Sequence, residues 1–270
     1  MTQLLRRVAA GFALLTSLAL CLAPTAFAGD TLDRVVKTGV LTVGMSGDQP
    51  PMTMRNRQEK LMGFDVDLAR ALANAMRVEL KLEQVPFGDL MEALDDGKVD
   101  MVISGMSITP ERTAQALFVG PYMMGGKSIL AKRETIQQFA SDGLASSERV
   151  LAALKNSTSA TFIKEAAPNA TLLEVDDYAT AIIMVRNGDV AGMVADATTC
   201  QLTVLRNPDA GLVTLDTPLT VEPFGIAVDA EDPEFHNLVQ NYVQAYEGTG
   251  LLTTLRKKWL ENNSWVAALP

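Results

Sequence analysis

Strand and helix patterns alternate along most of this chain, and the alternation limits the folds that it can adopt. Residues 39–45 predict a first strand, and apolar residues recur at helical spacing from Phe64 to Ala75. Residues 79–85 then alternate between apolar and polar side chains, which predicts a strand with one solvated face. Because strands and helices continue to alternate to about residue 206, the sequence predicts an α/β fold with largely parallel strands.

Two similar segments suggest that the chain has two related halves. Residues 96–104 and 187–196 each contain a polar-glycine turn and a buried strand with a polar end, at Ser104 and Asp196. Ligands of open α/β sheets bind outside the carboxyl ends of strands. We therefore expect Ser104 and Asp196 to face a ligand in a cleft between two α/β lobes. A general likeness between βα units is the alternative explanation.

The chain after residue 225 has a different pattern from the part before it. Apolar residues from Phe235 to Tyr246 recur at helical spacing, and a second apolar helix pattern runs from Leu251 to Trp259. We expect both helices to cover a lobe as structural elements.

The first 28 residues have the pattern of a secretory signal peptide. Two arginines precede an uncharged apolar run over residues 8–22, and residues 26–28 supply the Ala-Phe-Ala of a cleavage site. This run is shorter than the roughly 20 residues of a membrane span. We predict that residues 1–28 are removed and that the mature chain is periplasmic. An uncleaved anchor is one alternative, and a lipoprotein acylated at Cys21 is another, although Leu20 rather than a small residue precedes that cysteine.

Composition excludes several classes of protein. The full chain has a formal net charge of −9, and the only charged side chains of the predicted signal peptide are Arg6 and Arg7, so the mature chain would have a net charge of −9 − 2 = −11. Binding to nucleic-acid phosphates depends on Lys and Arg, so we expect no nucleic-acid partner. One His and two Cys cannot form a His-rich or Cys-rich metal site. Cys200 would be the only cysteine after processing, so we expect no intrachain disulfide, and we expect no metal or cofactor.

Two predicted helix starts are candidates for anion binding. Thr109 and Pro110 suit the N-cap and first position of a helix, and Arg112 follows three residues after the cap. Residues 156–159, Asn-Ser-Thr-Ser, precede a second helix pattern. Helix N-termini attract anions, and an arginine can bind a carboxylate through two parallel hydrogen bonds. Together with Asp196, these features predict a site for a zwitterion, although helix capping alone explains each Ser and Thr.

Three motifs follow one another along the chain: Gly63-Phe-Asp-Val-Asp-Leu-Ala69, Asp100-Met-Val-Ile-Ser-Gly-Met-Ser-Ile-Thr-Pro-Glu-Arg112 and Gly120-Pro-Tyr122. In this order they resemble the extracellular solute-binding proteins of family 3, the amino-acid-binding components of ABC importers. The likeness extends from about Leu32 to Trp259. It implies a two-lobed periplasmic binding protein fold of type II, with two α/β domains joined by two hinge strands. Lobe 1 would comprise residues 29–126 and 225–270, and lobe 2 residues 127–224.

The resemblance also implies a role for each residue that matches a family motif. Arg112 would bind the α-carboxylate of the ligand, together with Ser107 and the backbone of Gly105 in lobe 1 and with Thr158 in lobe 2. Asp196 would receive the α-ammonium. The other candidate ligand-binding residues are Ser104, Ser157, Phe87, Met52, Gln49 and Asp65.

The sequence departs from the family pattern in two places. Gln49 and Met52 stand about where an aromatic is often found, and the segment before Thr158 lacks a usual glycine. Two interpretations of Asp65 are open. In binders of cationic amino acids the matching acid reaches the ligand side chain, but Asp65 can equally brace the turn at Gly63. We favour the bracing role.

The resemblance implies a monomeric binding protein without catalytic activity. It would capture an amino acid, or a closely related zwitterion, and present it in transient contact to an ABC transporter permease in the inner membrane. Residues 32–40 and 44–48 also resemble periplasmic cyclohexadienyl (arogenate/prephenate) dehydratases, which makes an enzyme the alternative. Those enzymes carry a general-acid glutamate three residues after the acid that matches Asp196, and here Thr199 takes that place. A ligand sensor for a membrane receptor is a third possibility.

Overall fold

The computed structural model describes residues 30–146 and 148–270, so the predicted signal peptide lies outside the described residues. The strands, in chain order, are β1 Val40–Met45, β2 Asp48–Gln49, β3 Thr53–Arg55, β4 Leu61–Met62, β5 Glu79–Gln84, β6 Met101–Val102, β7 Ala116–Gly125, β8 Lys127–Lys132, β9 Val150–Leu154, β10 Thr171–Val175, β11 Gly192–Asp196, β12 Leu212–Val213 and β13 Glu222–Asp229.

Helices connect most of these strands. They are α1 Asp30–Thr38, α2 Phe64–Met76, α3 Leu90–Asp95, α4 Pro110–Thr113, α5 Arg133–Asp142, α6 Thr158–Ala166, α7 Tyr178–Asn187, α8 Ala197–Arg206, α9 Pro233–Gly248 and α10 Leu251–Arg256. Shorter 3-10 turns lie at Phe87–Asp89, Leu144–Ser146, Pro208–Ala210 and Asn263–Ala268, and a π-helical turn lies at Lys257–Glu261. None of the helices in the described ranges is long and apolar enough to cross a membrane.

Two five-stranded sheets form the centres of two α/β lobes. The first has the order β5-β1-β6-β13-β7, and the second has the order β10-β9-β11-β8-β12. The prediction of largely parallel strands is only partly right, because each sheet has two parallel and two antiparallel pairings. In each sheet one strand, β13 in the first and β8 in the second, runs opposite to the other four. The two reversed strands are those that the chain enters directly after it passes from one sheet to the other: β8 after β7, and β13 after β12.

The chain passes between the sheets twice, beside the cleft. Only Gly126 separates β7 of the first sheet from β8 of the second, and the chain returns between β12 and β13. A Cβ added to Gly126 would stand 2.0 Å from the carbonyl oxygen of Thr220, so the two connecting segments touch where no side chain fits. The residue boundaries of the two lobes stay a prediction.

The C-terminal helices cover the first sheet, as their apolar patterns predict. Phe235, Val239 and Val243 of α9 are buried against this sheet and its helices. The hydroxyls of Tyr242 and Tyr246 donate to backbone carbonyls of α2 at 3.3 and 2.9 Å. The second predicted helix is shorter than expected, because regular α-helix ends at Arg256 and a π-helical turn continues it.

Candidate functional site

Arg112 lies at the cleft because a short, well-capped helix places it there. Thr109 is the N-cap of α4 and Pro110 its first residue, as predicted, and Thr109 Oγ1 accepts from the Arg112 amide at 3.3 Å. The guanidinium donates to the carbonyls of Ser107 at 2.8 Å and Asn156 at 3.0 Å, and lies 5.6 Å from the ring centre of Phe87. Burial lowers the pKa of Arg112, against the opposing charges of Glu222, Asp196 and Glu111.

The second predicted helix start supplies one structural residue and one residue at the cleft. Helix α6 begins at Thr158, two residues earlier than its apolar pattern suggests. Ser157 is the N-cap: its hydroxyl accepts from the Ala160 amide at 3.1 Å and donates to the Leu154 carbonyl at 2.6 Å. Thr158 Oγ1 instead lies 3.5 Å from the hydroxyl of Ser107 in the other lobe. The structure therefore brings Ser107 and Thr158 together and gives Ser157 a capping role.

Asp196 is buried at the end of β11, and both of its carboxylate oxygens have partners within the protein. Oδ1 lies 2.7 Å from Nζ of Lys127, the residue opposite Asp196 in the pairing of β8 with β11. Oδ2 accepts from the amide of Gln49, which comes from the first lobe. Asp196 thus lies between the two lobes, with a lysine beside it that the sequence did not lead us to expect.

Glu222 is the second missed residue, and it lies between the two lobes. Its Oε2 accepts from the hydroxyls of Ser107 and of Thr158, the latter at 2.8 Å, and lies 3.3 Å from Lys127 Nζ. Its Oε1 accepts from Thr220 at 3.0 Å. Burial would raise the pKa of Glu222, but the charge of Lys127 and the three hydroxyls outweigh it and lower that pKa.

The signals for these two residues in the sequence are unequal. Lys127 begins an apolar strand that becomes buried, and a charge in that place is costly unless it is paired. That contrast could have identified Lys127. Glu222 also begins an apolar strand, but Pro223 follows it directly and the strand is buried only from Phe224 onwards, so the same contrast is weaker there.

Three further predicted residues form a layer behind the cleft. The Gly105 amide donates to Asp65 Oδ2 at 2.6 Å, and its carbonyl accepts from Gln49 at 3.5 Å. The hydroxyl of Ser104 accepts from the Ser46 amide at 3.0 Å. Asp65 has no solvent exposure, and burial raises its pKa to about 7 against the opposing effects of the Tyr122 hydroxyl and the Gly105 amide. These contacts suit the bracing interpretation of Asp65.

Met52 lies outside this arrangement. Its side chain is buried in the hydrophobic core of the first lobe, and it is not among the residues that line the cavity described next.

A cavity of about 960 Å³ lies between the lobes on the Arg112 side of the cleft. Its inner wall includes Arg112, Thr158, Glu222, Phe87 and Met106. Asp196, Gln49, Ser104, Asp65 and Met52 do not line it. Most charged residues around its remaining wall are acidic, namely Glu92, Asp95, Glu111, Glu165, Glu174 and Asp229.

Hydrogen bonds across the cleft hold the two lobes together, an arrangement we call closed. The Tyr178 amide donates to Asp48 at 3.1 Å, and the Thr199 hydroxyl donates to the Pro50 carbonyl at 3.2 Å. The Asn156 side chain donates to the Gly88 carbonyl at 2.9 Å.

Two residues with reactive side chains lie outside this constellation. Cys200 is buried, and burial raises the pKa of its thiol to about 12, so it is not a thiolate nucleophile at neutral pH. His236 lies 3.1 Å from the Phe118 carbonyl. Within residues 30–146 and 148–270, no group of three or more His, Cys, Asp or Glu is arranged to hold a metal ion.

Comparison with known proteins gives the family of the chain. Residues 41–262 match the model of the bacterial extracellular solute-binding proteins, family 3. The ABC transporter arginine-binding protein 1 of Escherichia coli is 29% identical over 223 residues, which cover 81% of this chain and 90% of that protein. The cyclohexadienyl dehydratase of Pseudomonas aeruginosa is 29% identical over 242 residues, which cover 85% and 86%.

Solved structures agree in fold. An ancestral amino acid-binding protein, a precursor of cyclohexadienyl dehydratase, is 33% identical with a TM-score of 0.76, covering 85% of this chain and 99% of that one. A putative binding component of an ABC transporter from Wolinella succinogenes, complexed with lysine, is 32% identical with a TM-score of 0.78 at the same coverage. This chain therefore belongs to family 3 of the bacterial extracellular solute-binding proteins.

Proposed function

We propose that this chain is a periplasmic binding protein that captures an amino acid between its two lobes and delivers it to an ABC importer. One observation carries the proposal. A guanidinium, two hydroxyls and a carboxylate from opposite lobes converge in one closed cleft, at Arg112, Ser107, Thr158 and Asp196. Burying a zwitterion is favourable only when both of its charges are paired, and this set contains a partner for each.

The carboxylate of the ligand would bind at Arg112. The two hydrogen bonds of its guanidinium go to backbone carbonyls, and no carboxylate in the described part of the chain forms a salt bridge with it. A buried arginine gains most from a carboxylate partner, which can accept two parallel hydrogen bonds. The hydroxyls of Ser107 and Thr158 supply further donors beside it.

The ammonium of the ligand would bind at Asp196. Nε2 of Gln49 donates to this carboxylate, and Oε1 of Gln49 is buried without a hydrogen-bond partner. An ammonium group has three donors, so Asp196 and this oxygen could share one ammonium. Gln49 would then act as a polar ligand contact in the place where an aromatic is often found.

The side chain of the ligand would extend into the cavity, past Phe87 and Met106. The acidic residues of the cavity wall favour a neutral or cationic side chain over an anionic one. The relative named for arginine and the structure complexed with lysine support that preference.

A dehydratase is the second candidate function, because one relative carries that name and one structural neighbour, an amino acid-binding protein, is described as a precursor of that enzyme. We propose that this chain binds without catalysis. Thr199, in the place of the expected general acid, is buried with its hydroxyl bonded to the Pro50 carbonyl. A hydroxyl cannot supply a proton readily near neutral pH.

Thermal unfolding with candidate ligands tests both functions. The purified protein is unfolded and refolded to remove bound ligand, then heated with each of the common amino acids, arogenate and prephenate. A ligand at a hundred times its Kd adds about 2.7 kcal/mol of stability, which raises the melting temperature visibly. We expect a shift with one or a few amino acids. A shift with arogenate or prephenate alone, followed by turnover, would establish the enzyme instead.

A further inference from the structure

Two charged residues outside the family motifs occupy the centre of the cleft. Lys127 begins β8, where the chain enters the second sheet, and Glu222 begins β13, where it returns to the first. Nζ of Lys127 lies 3.3 Å from Oε2 of Glu222, and the two side chains are only 5% and 13% exposed. A buried ion pair therefore links the two segments about which the lobes would move.

Lys127 supplies an ammonium to Asp196. The two residues are direct partners in the antiparallel pairing of β8 with β11, so their side chains lie on the same face of the sheet. The ammonium nitrogen stands 2.7 Å from the carboxylate, a normal length for a charge-assisted hydrogen bond. The proposed function assigns this same carboxylate to the ammonium of a ligand.

Glu222 supplies a carboxylate to the two hydroxyls at the end of the site where the ligand carboxylate would bind. Ser107 from the first lobe and Thr158 from the second both donate to its Oε2. The proposed function assigns these two hydroxyls to the carboxylate of a ligand. Lys127 and Glu222 thus present a positive and a negative group to the residues that would hold the two ends of an amino acid.

We propose that Lys127 and Glu222 form an internal substitute for the charges of the ligand, and that an amino acid binds by displacing them. This inference rests on the proposed function. When the ligand enters, its ammonium takes the place of Lys127 at Asp196. Its carboxylate takes the hydroxyls from Glu222 and pairs with Arg112. Lys127 and Glu222, already in contact, then neutralise each other.

Two consequences follow from this exchange. The lobes can close without a ligand, because the charges of Arg112, Lys127, Asp196 and Glu222 cancel within the cleft. The internal pair also weakens ligand binding, since the apparent affinity falls with the fraction of molecules whose cleft is free. If one molecule in ten were free, the affinity would be about tenfold lower than that of the unblocked site. Lys127 and Glu222 therefore lower the apparent affinity of the site for its ligand.

The double variant Lys127→Met/Glu222→Gln tests the proposal by two measurements. Small-angle scattering reports whether the lobes are closed, and calorimetric titration reports affinity, with L-arginine, L-glutamine and L-lysine as probes. We expect the radius of gyration of the wild type, once stripped of ligand, to stay the same when a saturating probe is added. We expect the ligand-free double variant to be expanded, to contract with the probe, and to bind it at least tenfold more tightly.

Two further variants serve as controls. Lys132→Met removes a lysine from the same strand outside the cleft, and we expect it to match the wild type in both measurements. Lys127→Gln keeps a donor for Asp196 without the charge, and it replaces the methionine variant if that one does not fold.

Different results would contradict the proposed function and the internal substitute. A wild type that contracts with a probe as much as the double variant overturns the internal substitute, and so does a double variant that binds no more tightly. If no probe binds either protein, the assignment of these amino acids fails, while the scattering of the two ligand-free proteins still decides whether the internal pair holds the lobes closed.

Discussion

The guanidinium of Arg112 donates to the backbone carbonyl of Asn156 at 3.0 Å, and this bond connects the two helix starts of the cleft. Arg112 lies in α4 of the first lobe, and Asn156 immediately precedes the N-cap of α6 in the second. A second bond from the same side chain, to the Ser107 carbonyl, fixes the turn before α4. One side chain thus orients both groups of hydroxyl donors.

Replacing Arg112 should therefore remove ligand binding more completely than replacing any hydroxyl. We expect Arg112→Ala to lower affinity by at least about a hundredfold, since losing one partner of a buried charge pair costs about 2–5 kcal/mol. Arg112→Lys should recover little, because lysine cannot form two parallel hydrogen bonds. Calorimetric titration measures both, with Arg70→Ala on the exposed face of α2 as the control. Micromolar affinity retained in Arg112→Ala would contradict the site.

Neighbouring residues at the start of α6 should respond differently to substitution. Ser157→Ala removes an N-cap and should lower the free energy of unfolding by about 1 kcal/mol. Thr158→Val keeps the shape of the side chain but removes a hydroxyl that faces Ser107 and Glu222, so its main effect should be on affinity. Urea unfolding and calorimetric titration of both variants give the comparison. Equal effects on stability would mean that Thr158 also serves the helix start.

Features that depend on a few adjacent residues were predictable from the sequence. Thr109 and Pro110 predict the start of α4 because capping involves only the first turn, and the structure confirms it. The apolar stripe from Phe235 to Tyr246 predicts α9 for a similar reason. Periodicity and capping are local properties, so tertiary contacts did not move these two helices from their predicted positions.

Features that depend on distant partners were not predictable in the same way. The antiparallel direction of β8 depends on its pairing with β11 and β12, which follow much later in the chain. The pair of Lys127 and Glu222 arises only where the two connecting segments meet beside Gly126. Helical periodicity also could not show that Met52 belongs to the core, because it lies in a turn between short strands.

Gly105 should be sensitive to a methyl group for a reason that Gly39 does not share. Both have a positive φ, +55° and +69°, so alanine strains the backbone at each by about 1–2 kcal/mol. A Cβ at Gly105 would also stand 2.6 Å from Nε2 of Gln49, whereas nothing lies within 4 Å at Gly39. We expect Gly105→Ala to cost more stability and to weaken ligand binding, because Gln49 must leave Asp196. Urea unfolding and titration of both variants check this, and equal losses would contradict the close approach.

Asp65 should make the stability of the protein fall as the pH rises towards neutrality. Burial raises its pKa from an ordinary 3.8 to about 7. Between these values the folded protein keeps a proton on Asp65 that the unfolded chain has released, so this group's contribution decreases by about 1.4 kcal/mol for each pH unit. It is complete below pH 3.8 and is lost once the pH exceeds about 7.

Asp65→Asn isolates this contribution, because an amide can accept from Gly105 as the carboxyl does but does not titrate. Urea unfolding of both proteins at intervals from pH 4 to pH 8 gives the difference in stability, in which all other titrating groups cancel. We expect the wild type to lose stability relative to the variant as the pH rises, with the change ending near pH 7. A difference that is constant with pH, or that favours the wild type at high pH, would mean that Asp65 is ionised in the folded protein and has a charged partner.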